Sequence, residues 1–284
     1  MAESLSHKFG QIIGDLLELA IEPHLKKFAV KNKLFLDKKG IRLTRKGKKL
    51  SWIDSKENIH DLDFVLERGG TNETLGVPVA FIETAWRRYT KHSRNKAQEI
   101  QGAILPLSEK YKNSSPFIGV VLAGEFTQGA LTQLESSGFC VLYFSYETVI
   151  KAFSKFGINA AFDEKTPEKE FREKIDSWNK LADKSEVAKE LLLLNKKGAN
   201  KFFDSFKSSI SRFIERIIII PLHGQESVSA SVTEAITFLK KYPEDKPKSS
   251  LVKYEIIIRY NTGDKIEASF KDKSDSIKFL ENYK

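Results

Sequence analysis

Two short apolar runs constrain the fold most. PFIGVVLAG (116–124) and FCVLYFS (139–145) are continuous apolar stretches of the kind that form buried strands. Each is followed by a segment with a helical pattern, FTQGALTQLESSG and then YETVIKAFSKFG. Strand, helix, strand, helix in this order is a crossover arrangement, in which helices pack across the sheet that the strands build. The chain is therefore expected to be α/β.

The residues before these runs supply a meander. Phe9, Ile12, Ile13, Leu16, Leu17, Ala20 and Ile21 recur at helical spacing, which predicts a first helix over about 6–28. A basic, turn-rich stretch follows. LSWIDSKENIHDLDFVLERGG then reads as two strands around a turn at Ser55 to Asn58, stopped by Gly69 and Gly70. VPVAFIETAW is a third strand. In TKHSRNKAQEIQGAILPLSEKYK, Ser93 is placed to cap a helix whose apolar stripe is Ala97, Ile100, Ala103, Ile104 and Leu107.

The charged segment DEKTPEKEFREK shifts the composition, so a boundary is expected near Asp163 to Pro167, dividing 1–163 from 164–284. Helices are predicted from Phe171 to Phe213. Beyond them come a strand (IERIIIIPL), a helix (SVTEAITFLKKY), a hairpin turning at Asn261 to Asp264, and a last helix (SDSIKFLENY). That order is a βαββα unit, a small α+β subdomain with one face covered by helices.

Composition limits what such a chain does. At 284 residues and 40% hydrophobic content it buries at least one full core. No apolar run approaches the roughly 20 residues of a membrane span, and MAESLSHKFG lacks a signal-peptide core, so a soluble cytoplasmic protein is expected. Cys140 is the one cysteine and reads as a core thiol, which sets aside disulfide and zinc chemistry. The net charge is +9 and the pI about 9.3. Eleven Lys or Arg against the single acid Asp37 lie between Lys26 and Lys49, and five basic residues with no acid lie between Arg87 and Lys96. Such clusters favour a polyanionic partner.

Two acids carry the candidate chemistry. Asp63 stands just before the apolar strand FVL, and Glu83, twenty positions later, stands near the end of AFIE. If these strands form a hairpin, both carboxylates meet at one end of a sheet. Hard cations such as Mg²⁺ take oxygen ligands held in this way. Asp61 alternates with Asp63 across Leu62 and is a fallback for it.

With this order of elements the chain resembles the PD-(D/E)XK nuclease superfamily, particularly type II restriction endonucleases, over about residues 6–155. The resemblance implies a restriction-endonuclease-like core, a mixed central sheet flanked by helices. It also implies that Asp63 and Glu83, with the backbone carbonyl of Thr84, hold Mg²⁺, for which Mn²⁺ would substitute. The sequence departs from that pattern at Ala85, where the superfamily has a lysine. On the following helix Lys96 shares the stripe of Ile100, Ala103, Ile104 and Leu107, so it points toward the sheet and is the replacement expected to orient water and stabilise charge on phosphorus. Lys91 is the second candidate, and Arg87 or Arg88 the third.

The run WRRYTKHSRNK places Arg87, Arg88, Lys91 and Arg94 beside the site as expected phosphate contacts, with Trp86 and Tyr89 partly in the core and His92 as a solvent or phosphate contact. Glu18 and Glu22 fall on the polar side of the first helix and are expected to be solvated, the alternative implied by the resemblance being that a first-helix glutamate serves as an extra metal ligand. Glu67 is read as a strand-end charge, and Glu99 as a minor neighbour of Lys96. The function expected from the resemblance is sequence-specific cleavage of double-stranded DNA by a homodimer, with the C-terminal part reading sequence or forming the dimer. A junction-resolving or repair nuclease, or a DNA-binding protein that has lost catalysis, are the alternatives.

Overall fold

A computed structural model of the chain describes residues 4–246 and 249–283, and in 245–246 and 249–250 only the backbone. Residues 1–3, part of the opening stretch considered above for a signal sequence, lie outside the described residues. The chain forms two compact units, residues 1–210 and 211–284.

The first unit opens with α1 (Leu5–Lys31), whose N-cap Ser4 accepts a hydrogen bond from the His7 amide. Its buried stripe runs from Phe9 to Ala29. Next come β1 (Leu34–Lys38), β2 (Leu50–Ile53), β3 (Ile59–Leu62), β4 (Phe64–Arg68), β5 (Val77–Arg87), α2 (Ser93–Lys110), β6 (Phe117–Gly124), α3 (Gln128–Ser136), β7 (Cys140–Ser145) and α4 (Tyr146–Ser154). Three further helices follow, α5 (Glu168–Lys180), α6 (Ser185–Leu194) and α7 (Lys196–Ile210). The central sheet has five strands in the order β1-β4-β5-β6-β7. β1, β4 and β5 are antiparallel neighbours, whereas β5, β6 and β7 run parallel. The chain is thus α/β with a mixed central sheet flanked by helices.

Alternation along the strands sends side chains into two cores. On one face Phe64, Leu66, Ile82, Val121 and Phe144 pack against α1 and α4 to α7. On the other, Val65, Phe81, Val120 and Leu122 pack against α2, α3 and the β2–β3 hairpin. The turn of that hairpin is held by Asp54, whose carboxylate accepts from the Lys56 and Asn58 amides at 2.8 and 3.0 Å.

Two sequence expectations need correction. Leu34–Lys38, within the stretch read as turn-rich, is the edge strand β1, paired with β4 from Leu34↔Arg68 to Lys38↔Phe64. Its apolar alternation spans only Leu34 to Leu36, too short to stand out among the surrounding lysines. The boundary expected at Asp163 is also displaced to Ile210, because Phe171, Ile175, Trp178, Leu191, Phe202 and Phe206 of α5 to α7 belong to the α1 core. The charged segment is a solvated loop and helix start within one unit.

The second unit contains β8 (Ile214–Pro221), β9 (Ser227–Ser229), α8 (Val232–Lys241), β10 (Asp245–Lys246), β11 (Ser249–Ser250), β12 (Tyr254–Tyr260), β13 (Lys265–Phe270) and α9 (Lys273–Glu281). Its sheet, in the order β13-β12-β8-β9, is antiparallel throughout. Ile217, Ile219, Ile256 and Ile258 alternate inward onto Ile236 and Leu239 of α8 and Leu280 of α9. The expected βαββα order is present, with β9 added as a short partner of β8 and the two-residue strands β10 and β11 paired with each other between α8 and β12. Among the described residues no helix is long and apolar enough to cross a membrane.

Candidate functional site

The site arises from a mismatch between neighbouring strands. β4 pairs with β5 from Arg68↔Val77 to Phe64↔Ile82 and stops, while β5 continues beside β6 as far as Arg87↔Gly124. Beyond Ile82 the β4 side of β5 is therefore open. Asp63 occupies that gap, at the corner where the chain leaves the β2–β3 hairpin and enters the central sheet. Its Oδ2 accepts from the Thr84 amide and from Thr84 Oγ1, both at 2.7 Å. The amide and carbonyl of one strand residue point to the same side, so the Thr84 carbonyl also faces the gap. The Asp63 amide in turn faces the Glu83 carboxylate and favours its charged form. The structure thus brings Asp63, Glu83 and Thr84 together.

Glu83 is in an unusual state. Its Oε2 is sealed from solvent, with no hydrogen-bond partner among the described residues. Burial, and then the negative charge of Asp63, hold its carboxyl well above the ordinary carboxylate range, with Lys96 offsetting part of the shift. Strand alternation sends Glu83 and Ala85 toward α2, the side from which Lys96 approaches. Ala85 is buried and small, so it leaves room where a longer side chain would crowd that approach. Only 14% of the Lys96 side chain is exposed, and its Nζ lies 3.3 Å from Glu99. Lys96 is the basic residue that the fold places at the pair, as its inward-facing stripe predicts.

A cleft of about 760 Å³ opens over this corner, lined by Gly10, Gly14 and Glu18 of α1, by Asp63, Thr84 and Lys96, and by the segment Trp86–Tyr89. Glycines spaced by four residues leave α1 without bulk here. A Cβ on Gly10 would stand 3.6 Å from the Trp86 ring. At the far end of β5, Gly124 (φ +102°) tucks β6 beneath Arg87, where a Cβ would sit 2.0 Å from the Arg87 carbonyl. That position admits no side chain.

Several expectations change. Glu18 is not a solvated helix residue: it lines the cleft, and burial followed by repulsion from Asp63 and Asp15 raises its pKa to about 7, against an opposing effect of Lys39. The Gly10, Gly14, Glu18 series, one residue every helical turn, was the signal available in the sequence. Glu22 behaves as a surface group, paired with Lys38 at 2.5 Å. Asp61 is not an alternative to Asp63, since it faces outward onto Lys49 and Ser51, each at 2.6 Å. Glu67 is not a strand-end charge but a fully buried partner of Arg42.

The basic rim is divided. Arg87 and Arg88 line the cleft, the first 3.7 Å from Glu99. Arg88 donates to the Phe162 carbonyl at 2.7 Å and lies 4.0 Å from the centre of the Tyr146 ring. Lys91 lines an adjoining hollow, 3.8 Å from Glu164. Arg94 is exposed and lines neither. Trp86 packs on Tyr146 and Phe162, as expected for a partly buried ring.

An orphaned, buried carboxylate oxygen beside a second carboxylate and a free-edge carbonyl is a donor set that fits a hard divalent cation. Among the described residues no three His, Cys, Asp or Glu side chains gather into a cage. Two carboxylates suit Mg²⁺ nonetheless, because it retains waters and binds through one or two protein acids. This has a pH consequence. Glu18 and Glu83 both have folded-state pKa values above their unfolded ones, so the stabilising contribution of Glu18 is fully present below about pH 4.5 and is lost as pH rises through about 7, and that of Glu83 is lost in the same direction. Without metal, the melting temperature is expected to fall by several degrees between about pH 5 and pH 8.5. Millimolar Mg²⁺ is expected to raise it more at the higher pH than at the lower. Thermal melts with and without a chelator measure both effects, and an equal Mg²⁺ shift at the two pH values would contradict the assignment.

No family model, curated protein or solved structure matches the chain, so what this site does is argued from its own geometry and chemistry.

Proposed function

We propose that the chain is a Mg²⁺-dependent endodeoxyribonuclease with a restriction-endonuclease-like core, cutting double-stranded DNA at specific sites as a homodimer. The observation that carries this reading is the meeting of Asp63 and Glu83 at the open edge of β5, beside an inward lysine and beneath an arginine-bearing rim. Asp63, Glu83 and the Thr84 carbonyl would hold the cation, which supplies Lewis acidity and charge neutralisation at the scissile phosphate. Lys96 donates hydrogen bonds to the attacking water and to the phosphoryl oxygens, where negative charge grows. Arg87 and Arg88 hold flanking phosphates and fix the register of the duplex without reading bases. One site per chain cuts one strand, so double-strand cleavage of a two-fold target needs two chains.

The net charge of +9 and the basic rim favour DNA over a neutral substrate. Incubation of a defined plasmid with Mg²⁺, followed by end sequencing, tests the proposal. Discrete fragments with constant ends are expected. Cutting confined to branched or damaged duplexes would favour the junction-resolving or repair nuclease, and duplex binding without any cut would favour a protein that has lost catalysis.

Lys96→Ala is expected to lower the cleavage rate by about 10²- to 10³-fold with little change in melting temperature, the scale for removing one preorganised donor from a developing charge. Near-normal turnover in that variant would move the role to Lys91 or to the cleft arginines.

A further inference from the structure

Residues 39–49 form a loop that the chemistry above does not use. Its two feet straddle Asp63, since Lys38, the last residue of β1, pairs with Phe64, and Leu50, the first of β2, pairs with Leu62. The loop therefore rises beside the candidate metal site. It is also held in one shape without helix or strand. Arg42 turns inward, forks onto Glu67, bonds Asp37 and donates to the carbonyls of Thr71 and Thr74. Arg45 donates to Asp37 and to the carbonyls of Lys38, Gly40 and Lys49. A Gly40 amide to Lys48 carbonyl bond of 2.8 Å closes the base.

What the loop shows to solvent is the reverse of ordinary surface chemistry. Its arginines are spent on internal bonds, while Ile41 and Leu43 on either side of Arg42 are 82% and 76% exposed. The two arginines are neutralised by Asp37 and Glu67, Lys38 by Glu22, and Lys49 by Asp61. Lys46 and Lys48 are exposed, and among the described residues no ion pair engages either. A rigid tip carrying two aliphatic side chains and two unneutralised lysines complements a polyanion whose groove is apolar at its sugar walls. Of the side chains that read base edges in the major groove it exposes lysine but no Asn, Gln or Arg, and lysine lacks the planar fork that fixes a bidentate pairing.

We propose that loop 39–49 is a preformed DNA-contacting finger, in which Ile41 and Leu43 enter the minor groove next to the scissile phosphate and Lys46 and Lys48 meet backbone phosphates. This rests on the nuclease reading and adds to it a specific contact. Aliphatic wedges in a minor groove unstack base steps and bend the duplex, so the finger selects deformable sequence rather than a hydrogen-bond pattern. Its internal clamps mean that little ordering entropy opposes binding.

The test uses the full chain in a Glu83→Gln background, so that a labelled duplex is bound with Mg²⁺ present but not cut. Ile41→Ser/Leu43→Ser is expected to weaken binding about tenfold without altering its salt dependence, and to remove DNA bending seen by end-to-end energy transfer. Lys46→Ala/Lys48→Ala is expected to reduce the slope of log K against log salt by about 2, close to 0.9 per phosphate lost. Both variants change exposed side chains and are expected to melt with the parent. Unchanged affinity, slope and bending would overturn the finger while leaving the nuclease reading intact. A serine variant that binds DNA normally but sediments as a smaller species would assign the tip to a second copy of the chain and overturn it equally. A Glu83→Gln parent that binds no duplex would remove the nuclease reading and the finger together.

Discussion

Asp63→Asn and Glu83→Gln are each expected to reduce Mg²⁺-dependent DNA cleavage by about 10³-fold or more while leaving duplex binding within about tenfold of the parent. A cation at the scissile phosphate contributes several kcal/mol of charge stabilisation, and each 1.36 kcal/mol is about tenfold in rate. The two substitutions keep side-chain volume and remove charge, so the loss reports on cation binding rather than packing. They also differ in a way that checks the electrostatics. Glu83 is half-buried, with its Oε2 sealed from solvent and unpartnered among the described residues, and is repelled by Asp63, so neutralising either acid relieves the metal-free protein. At about pH 8.5 in chelator, Glu83→Gln is therefore expected to melt at or above the parent temperature, because the unfavourable ionisation is gone. Gel assays of plasmid cleavage, paired with thermal melts, read both effects. Near-normal cutting by either variant would place the catalytic acids elsewhere.

The largest expected effect on stability lies away from the cleft. Arg42→Ala or Glu67→Ala is expected to destabilise the first unit by about 3–5 kcal/mol, the cost of leaving one member of a buried ion pair alone. For a unit of this size that corresponds to a fall in melting temperature of about 6–20 °C. The Arg42 side chain is 2% exposed and Glu67 is fully buried, with guanidinium and carboxylate joined at 2.5 and 2.9 Å. The Gly76 amide donates to the same carboxylate at 2.7 Å, and a Cβ on Gly76 would fall 2.4 Å from the Arg68 carbonyl. Removing Arg42 leaves Asp37, Glu67 and the carbonyls of Thr71 and Thr74 without its five donors. Arg42→Lys is expected to fall between, since an ammonium makes fewer bonds and no fork. A loss under about 1 kcal/mol in differential scanning calorimetry would mean that water reaches the cluster in solution.

How much of this was legible in the sequence follows from the range of each interaction. Elements with a long apolar period, such as α1, α2, β6 and β7, were readable because local pattern and final burial agree. β1 was not, since an edge strand of five residues gains its identity from pairing with β4. The meeting of Asp63 with Glu83 was readable as the end of a hairpin, and Lys96 as the one charge on an apolar stripe. The gap that makes the site was not readable, because it depends on β4 stopping at Phe64 while β5 runs on to Arg87. Glu67 and Glu18 were misread for the same cause. Nothing within a few residues of Glu67 announces Arg42, and the face on which Glu18 lies becomes a cleft wall only once β5 and Asp63 come alongside it. α5 to α7 joined the first unit because their aromatic residues complete the α1 core, a contact to which the charged segment before them gives no clue.

Whether Asp63 and Glu83 hold a divalent cation is read from a crystal of the protein soaked with Mn²⁺ and measured for anomalous scattering. A peak is expected within coordination distance of Asp63 and Glu83 oxygens and the Thr84 carbonyl, lost in Glu83→Gln. Strong Mn²⁺ peaks elsewhere with none at this corner, or one that persists unchanged in Glu83→Gln, would contradict that assignment.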